Sequence, residues 1–409
     1  MTDLETGTLN DIDLTDASVW EKAAPHDWLD RLRSEDPVHW HPEKDGPGFW
    51  ALTRHADVHR VSTSPGEFSS YVGGPLRLDP PGEGGLDQVR MIIIGMDPPE
   101  HRSFRAIVSK AFTPRRISQL EASLRAETQR VIGELRDADR CEFVTDVAAR
   151  IPMWSISELM GVPEADRHRL YELSHSLIDD QDPEVAPTPE TSMQASIEIY
   201  GYATEMAARE RENPSGSLTS DLLAAEVDGR KLTDFEYTLF FMFLIVAGNE
   251  TTRTATSHGL LTLLDHPDAL ECLVRDPGLV PGAVEEMLRF EPPIHHFRRT
   301  ATTDVQLGDK TVAKGDKVLM WYPASNRDPE VFVDPHEFRI DRDPNPHQSF
   351  GIGEHFCLGA NLARLSLRIL FTELLATVEN IALEAPPRRL HSNLINGIKE
   401  MRITYDVRP

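Results

Sequence analysis

The side chains best suited to chemistry in this 409-residue chain gather around one cysteine. Cys357 lies in Phe350-Gly351-Ile352-Gly353-Glu354-His355-Phe356-Cys357-Leu358-Gly359-Ala360, and the stretch that follows, Asn361-Leu362-Ala363-Arg364-Leu365, reads as a helix. A cysteine just ahead of a helix faces outward-pointing backbone N–H groups and the positive end of the helix dipole, which favour a thiolate over a thiol. Gly351, Gly353 and Gly359 permit turns at positive φ and let a broad flat body lie against the backbone. Phe350 and a chargeable His355 complete a place for a planar, anionic, metal-bearing ligand. A lone cysteine is more often a small buried hydrophobe. Gly351-Ile352-Gly353 also suggests a dinucleotide loop, but no β-branched strand precedes it and the third glycine is out of register.

Three further groups have chemical potential. In Phe240-Phe241-Met242-Phe243-Leu244-Ile245-Val246-Ala247-Gly248-Asn249-Glu250-Thr251-Thr252 an all-round apolar run predicts a helix buried on every side. Glycine and back-bonding threonine hydroxyls in its middle predict a bend and an opening, with an acid–alcohol pair, Glu250 and Thr251, beside it. The bland alternative is a tolerated kink with a solvated glutamate, which the rarity of buried Glu disfavours only in part. In Asp97-Pro98-Pro99-Glu100-His101-Arg102-Ser103-Phe104-Arg105, Asp97 stands near a helix cap, and His101 and Arg105, at i and i+4, share a face. That face is equally readable as a solvated basic one. Glu286 and Arg289 form an i, i+3 pair of a kind that is usually a cheap surface feature.

The spacing Phe-x-x-Gly-x-His-x-Cys-x-Gly resembles the haem-binding loop of the cytochrome P450 family. Asp-Pro-Pro-Glu-His before Arg, Ala-Gly-x-Glu-Thr-Thr and Glu-x-x-Arg resemble further signatures of that family, in order, from about residue 35 onward. The resemblance implies that Cys357 is the axial iron ligand of haem b, with Phe350, Gly351, Gly359 and Ala247 against the macrocycle. It implies that His101, Arg105, Arg299 and His355 bind the propionates. Thr251 would act in oxygen activation and Glu250 would feed protons. Glu286, Arg289 and Arg342 would form a structural triad that holds the fold behind the haem. The pocket would be lined by Ile94, Phe243, Val246, Ala247, Gly248, His295, Phe297, Leu394 and Ile395, the last two on a hairpin tip, Asn393–Gly397.

The elements that must position these residues are readable in outline. Pro37–Trp40 and Gly48–Thr53 alternate like a hairpin, with a short helix after it. Gly73–Gly85 is a Gly/Pro-rich stretch of lid or binding-loop length. From Arg115 to Glu212 the period is almost wholly helical, with breaks at Gly161-Val162-Pro163 and at Asp179–Glu190, a hinge for a lid; a turn at Asp228-Gly229 precedes the long helix. Pro292–Ala301 is extended, so His295, Phe297 and Arg299 should share a face, and the adjacent His295 and His296 should face opposite sides, which argues against a shared metal. The expected fold is mainly α with small β-sheets: a triangular, helix-rich prism with haem between the long central helix and the cysteine-loop helix. One domain over 1–409 is expected, with a β-rich part at about 35–70 and 294–320 and a hairpin at 385–407.

Bulk properties narrow the function. A formal net charge of −25 argues against nucleic acid and anionic membrane surfaces. Cys141, Cys272 and Cys357 are too few and scattered for a disulfide framework, which suits a reducing cytoplasm. The acidic start is wrong for a signal peptide, and the longest apolar stretch, Leu239–Ala247, is too short to span a membrane. By resemblance the chain is a soluble bacterial monooxygenase, a monomer that inserts one oxygen atom from O2 into a C–H bond of a small hydrophobic substrate. Electrons would come from ferredoxin and ferredoxin reductase, since no flavin or nicotinamide domain is visible. Lys110, Arg115, Arg116 and Arg364 are candidates for the docking patch. The nearest resemblance is to actinobacterial members that oxidise methyl-branched lipids and sterol side chains. A terpenoid or other secondary-metabolite hydroxylase is the alternative. A non-catalytic haem-thiolate sensor is a third reading, but one with no use for Glu250 and Thr251.

Overall fold

The computed structural model describes residues 8–44, 46–80, 82–109, 112–178, 182–186, 188–227 and 229–409. Lys110, part of the break at 179–190, and Asp228 of the expected turn lie outside the described residues. The helices that concern the site are α1 (Glu100–Ser109), α2 (Pro114–Gly133), α3 (Arg150–Met160), α4 (Glu164–Ile178), α5 (Pro189–Glu212), α6 (Asp234–Asp265), α7 (Val280–Phe290) and α8 (Ala360–Thr377). Several boundaries follow from capping chemistry. Thr113 accepts from the N–H of Arg116 ahead of Pro114 at the first turn of α2. Gly161, at φ 80°, ends α3 in the left-handed region. Thr233 and Glu236 form a reciprocal capping box on α6.

Helix α6, 32 residues long, is the axis of the molecule. It packs against α3, α4, α5, α7 and α8, as expected of a helix apolar all round. It stays α-helical through residues 247–252, so the expected opening at Gly248 does not interrupt it. The reason lies in packing: a Cβ at Gly248 would stand 3.0 Å from Ile156 Cγ1, so glycine here lets α3 approach closely.

The main sheet joins distant segments in the order β1 (Val38–His41), β2 (Phe49–Leu52), β5 (Lys317–Trp321), β4 (His296–Ala301) and β3 (Phe68–Ser69). The expected hairpin is β1–β2, and β5 joins it in parallel to β2. The expected C-terminal hairpin pairs β6 (Arg388–Arg389) with β7 (Ile398–Glu400). A strand that periodicity missed, Arg140–Glu142, interrupts the helical region and pairs with Arg402–Thr404. The architecture is helix-rich with small sheets, as expected.

The Glu286–Arg289 pair is no surface ornament. Both side chains are fully buried; Arg289 Nε and Nη2 each donate to the carboxylate at 2.7 Å. Arg342 Nε donates at 3.1 Å to both of its oxygens, and the Arg339 N–H and Asn345 Nδ2 complete the set. The remaining guanidinium donors of Arg289 go to the carbonyls of Asn326, Pro335 and Glu337, so one ion pair fixes the long meander to α7. Removing one partner of a buried pair strands the other charge, at a cost of about 3–5 kcal/mol. Arg289→Leu should therefore lose stability on that scale in urea unfolding. Arg339→Ala, which removes a half-exposed guanidinium 3.5 Å from Asp341, should cost less than about 1 kcal/mol.

Candidate active site

The loop before α8 is built by its own backbone. The Cys357 N–H donates to Phe350 O at 2.8 Å, Gly351 N–H to Gln348 O at 2.8 Å and Phe356 N–H to Gly353 O at 3.1 Å. Gly351 and Gly353 sit at φ 68° and 70°, where other residues are strained. Gly359 does not need that freedom, since it has φ −84° as the cap of α8. Burial pushes the Cys357 thiol up; the N–H groups of Gly359 and Ala360, with Arg105 and Arg364, pull the other way. Four donors of positive potential thus converge on a sulfur that burial alone would keep protonated. That is the environment of a metal-bound thiolate.

Beside this loop stands a cluster of basic side chains. His101 and Arg105 share one face of α1, and the rings of His101 and His355 lie 4.4 Å apart. Arg105 donates to the carbonyls of Glu354 and Phe356 at 3.0 and 2.5 Å, bracing the loop from outside. Arg299 projects from β4, buried, with its Nη1 on Arg298 O at 2.8 Å. Burial, then Arg299, His101 and Arg105, pushes His355 down to about 2. Burial and Arg105 push His101 to about 4, against the opposing pull of Glu354. Neither ring nitrogen of the buried His101 has a hydrogen-bond partner among the described residues. Two arginines lowered by burial and two histidines lowered by burial and by those arginines, one histidine with both ring nitrogens unmatched, form a socket for a dianion. Asp97 is near the helix cap as expected, its carbonyl accepting from the His101 N–H at 3.0 Å, while its carboxylate accepts from Ser69 Oγ and from the Ser70 N–H at 2.8 Å, tying β3 to the same corner.

The third wall is one stripe of α6. Much of the helix is buried, yet about its middle Phe243, Val246, Ala247 and Thr251 keep partial exposure at i, i+3, i+4 and i+8. Partial exposure on one helix face inside a core marks a cavity side. Thr251 Oγ1 donates to Ala247 O at 2.8 Å, the expected back-bond. Its neighbour Glu250 is turned away. Adjacent helical residues point about 100° apart, and the Glu250 carboxylate, 1 % exposed, is held by Arg253, with His175 Nδ1 of α4 at 3.6 Å. Ile94, Phe297 and Leu394 are also partly exposed, as cavity-lining residues should be.

Gly248 is partly exposed beside Ala247, though a Cβ there would meet Ile156. Other expected members lie elsewhere. His295 packs on Trp20 with centroids 4.3 Å apart, while His296 packs on Trp321 at 4.5 Å, and the two indoles stack on each other. The expected alternation fails because β4 begins only at His296; Ile294 instead forms an isolated bridge to Ile395, which is itself buried. In the expected docking patch, Arg364 is matched bidentately by Glu285 and Arg116 by Asp221, while Arg115 is exposed. Sequence reading missed Glu285, which also meets His347 at 3.2 Å and so ties α7 to both sides of the cysteine loop. It also missed the fastening of the segment between α4 and α5. There Asp182, fully buried, accepts from the His391 N–H at 2.9 Å and from Lys399 Nζ at 2.8 Å, while Glu184 pairs with Lys399 and Arg388.

These residues fit a haem. The basic socket suits two propionates, the converging N–H groups suit a ligating thiolate, and apart from its chain neighbours no described residue comes within 4 Å of a Cβ built at Gly359, leaving room for a flat ring. No described helix is long and apolar enough to cross a membrane.

Comparison with known proteins agrees. A family profile described as Cytochrome P450 matches residues 278–403. A steroid C26-monooxygenase of Mycolicibacterium smegmatis is 36% identical over 97% of this chain and 94% of its own length. A methyl-branched lipid omega-hydroxylase of Mycobacterium tuberculosis is 40% identical over 91% of this chain and 89% of its own. Among solved structures, a Mycobacterium marinum cytochrome P450 in complex with pseudoionone superposes with a TM-score of 0.91 at 35% identity, covering 98% of this chain and all of that one.

Two glycines separate loop strain from cofactor space. Gly353→Ala forces a positive φ and sets a Cβ 2.8 Å from Ser62 O, so it should lower stability by about 2 kcal/mol or more. Gly359→Val meets no protein atom there and should leave the unfolding midpoint of haem-free protein within about 1 kcal/mol while lowering haem content. Thermal unfolding and absorbance per polypeptide check both.

Proposed function

The chain belongs to the cytochrome P450 family and is a haem-dependent P450 monooxygenase; from that premise we propose that it hydroxylates a terminal methyl of a methyl-branched lipid or sterol side chain. The observation that carries the substrate class is the pair of long, near-complete matches to proteins named for steroid C26 and for the omega end of methyl-branched lipids. Both positions are end carbons of a branched chain. A narrow apolar approach formed by Ile94, Phe243, Val246, Ala247, Phe297 and Leu394 would admit such an end and exclude water from it. Pseudoionone, in the solved relative, is also a methyl-branched chain, and it favours a terpenoid as the second reading.

The cofactor is proposed to be haem b, held by Cys357 Sγ, with His101, Arg105, Arg299 and His355 at its propionates and Phe350, Gly351, Gly359 and Ala247 against its faces. When bound, this group supplies the redox chemistry that activates O2, and a thiolate ligand favours O–O cleavage. The protein's part is to keep the thiolate in its ring of N–H donors and to neutralise the propionates. It also presents Thr251 Oγ1 at the cavity face as a proton donor. Glu250, the adjacent residue and about 100° round the helix, is the proton store. Its carboxylate must leave Arg253 to reach the threonine side, so delivery would involve a change of rotamer. Glu286, Arg289 and Arg342 hold the scaffold and do no chemistry. Electrons would arrive from a ferredoxin served by its reductase; exposed Arg115 and Arg102, the latter paired to Glu354, would contribute positive charge to the docking face.

Reduction of the protein under carbon monoxide should give the strongly red-shifted Soret band of a thiolate-ligated haem, and Cys357→Ser should abolish it. Titration of the ferric protein should give a low- to high-spin shift with sterols or methyl-branched fatty acids. A shift only with small terpenes would move the assignment to the second reading. Thr251→Ala removes one local hydrogen bond and should leave the spin shift intact. It should lower product formed per electron pair by about tenfold or more.

A further inference from the structure

We propose that His175 is the residue through which solvent protons reach Glu250, a positioning and relay role that rests on the proton-store reading of Glu250 above. The difficulty it resolves is physical. A carboxylate with 1 % exposure can give up a proton once, but turnover requires that it be reloaded from water each cycle. Its partner Arg253 offers a guanidinium, a group with donors only and no site to take up a proton and pass it on. An imidazole, whose ordinary pKa is near 6.5, can do so in both directions.

The geometry places His175 for this task. Its Nδ1 stands 3.6 Å from Glu250 Oε2, and its side chain keeps 21 % of its surface in contact with solvent. Glu250 Oε2 is the oxygen without a hydrogen-bond partner among the described residues, while Oε1 is taken by Arg253. The approach is fixed one residue away on both helices. Asn249 Nδ2 donates to Ser174 Oγ at 3.1 Å, so adjacent rungs between α4 and α6 hold Ser174 on Asn249 and His175 over Glu250. The ring of Tyr171, one turn earlier on α4, lies nearly parallel to the imidazole with centroids 6.1 Å apart. Its phenol, with an ordinary pKa near 10, is a poor carrier at neutral pH. The step needs a closing movement of about 0.7 Å to reach hydrogen-bond length. Imidazolium Nδ1–H then gives its proton to Glu250 Oε2, and the neutral ring takes another from water. One proton enters and one leaves, and no electrons move.

The test compares three variants of the intact holoenzyme. His175→Gln should lower product formed per electron pair by about fivefold and raise the solvent deuterium isotope effect, because water would replace the imidazole only in part. His175→Lys keeps a cation beside Glu250 but does not exchange protons near neutrality. It should be as impaired as His175→Gln if His175 relays protons; recovery to wild-type coupling would show a mere ion-pair partner and overturn the proposal. Glu250→Gln tests the underlying reading. If Glu250→Gln uncouples turnover and His175→Gln does not, the relay fails while the proton store stands. If neither uncouples, the proton store itself fails. A readout independent of turnover is nitrogen NMR of histidine-labelled holoenzyme. The ring resonances of His175, assigned by their loss in His175→Gln, should shift in Glu250→Gln, and an unchanged ring would also overturn the contact on which the relay depends.

Discussion

A carboxylate without access to water has to be matched at every lone pair, and Glu286 is matched by two arginines, an asparagine and a backbone N–H. Much of the cysteine side of the molecule hangs on that requirement. Arg289 and Arg342 use their remaining donors on the carbonyls of the meander, which has little regular structure of its own. The neighbouring Glu285 binds Arg364 of α8 and His347, while Ser349 Oγ donates to Leu288 O at 2.6 Å. Two consecutive glutamates on one helix therefore hold the meander on one side and both flanks of the Cys357 loop on the other. Ionic interactions in water are weak. Here, buried and saturated, they set geometry.

The site they hold is electrostatically unbalanced within the polypeptide. Burial disfavours the charged form of His101, His355, Arg105 and Arg299, and the two arginines further lower both histidines. Such an arrangement makes sense when the missing charge arrives with a ligand. The same holds for Cys357, which burial drives toward the thiol while its N–H ring and two arginines favour the thiolate. The binding energy of a dianionic metal group would settle both imbalances together.

Much of this was legible in the sequence because the informative residues are local. The cysteine loop, the His101–Arg105 face and the Glu286–Arg289 pair each lie within a few residues, so spacing alone places them. What was not legible depends on contacts between distant segments. The burial of the Glu286 pair and the strand Arg140–Glu142 both require partners far along the chain. Gly248 looked like an opening in a helix but marks where α3 approaches. His295 was assigned a face by alternation that starts one residue later. Glu250 and Thr251 are neighbours in sequence but project to different sides of one helix, and what Glu250 meets there, Arg253 of α6 and His175 of α4, shows only in the fold.

The fastening between α4 and α5 carries a further meaning. The described part of the segment between these helices is clasped by Asp182, Glu184, Lys399, Arg388 and a backbone N–H, ion pairs and hydrogen bonds in place of an oily seal. Parting an oily seal leaves apolar surface facing water, an invitation to stick to neighbouring molecules. Parting this clasp leaves charges that water solvates readily. A fastening made of charge therefore keeps this stretch of chain in place without adding to the apolar surface that the protein shows to water.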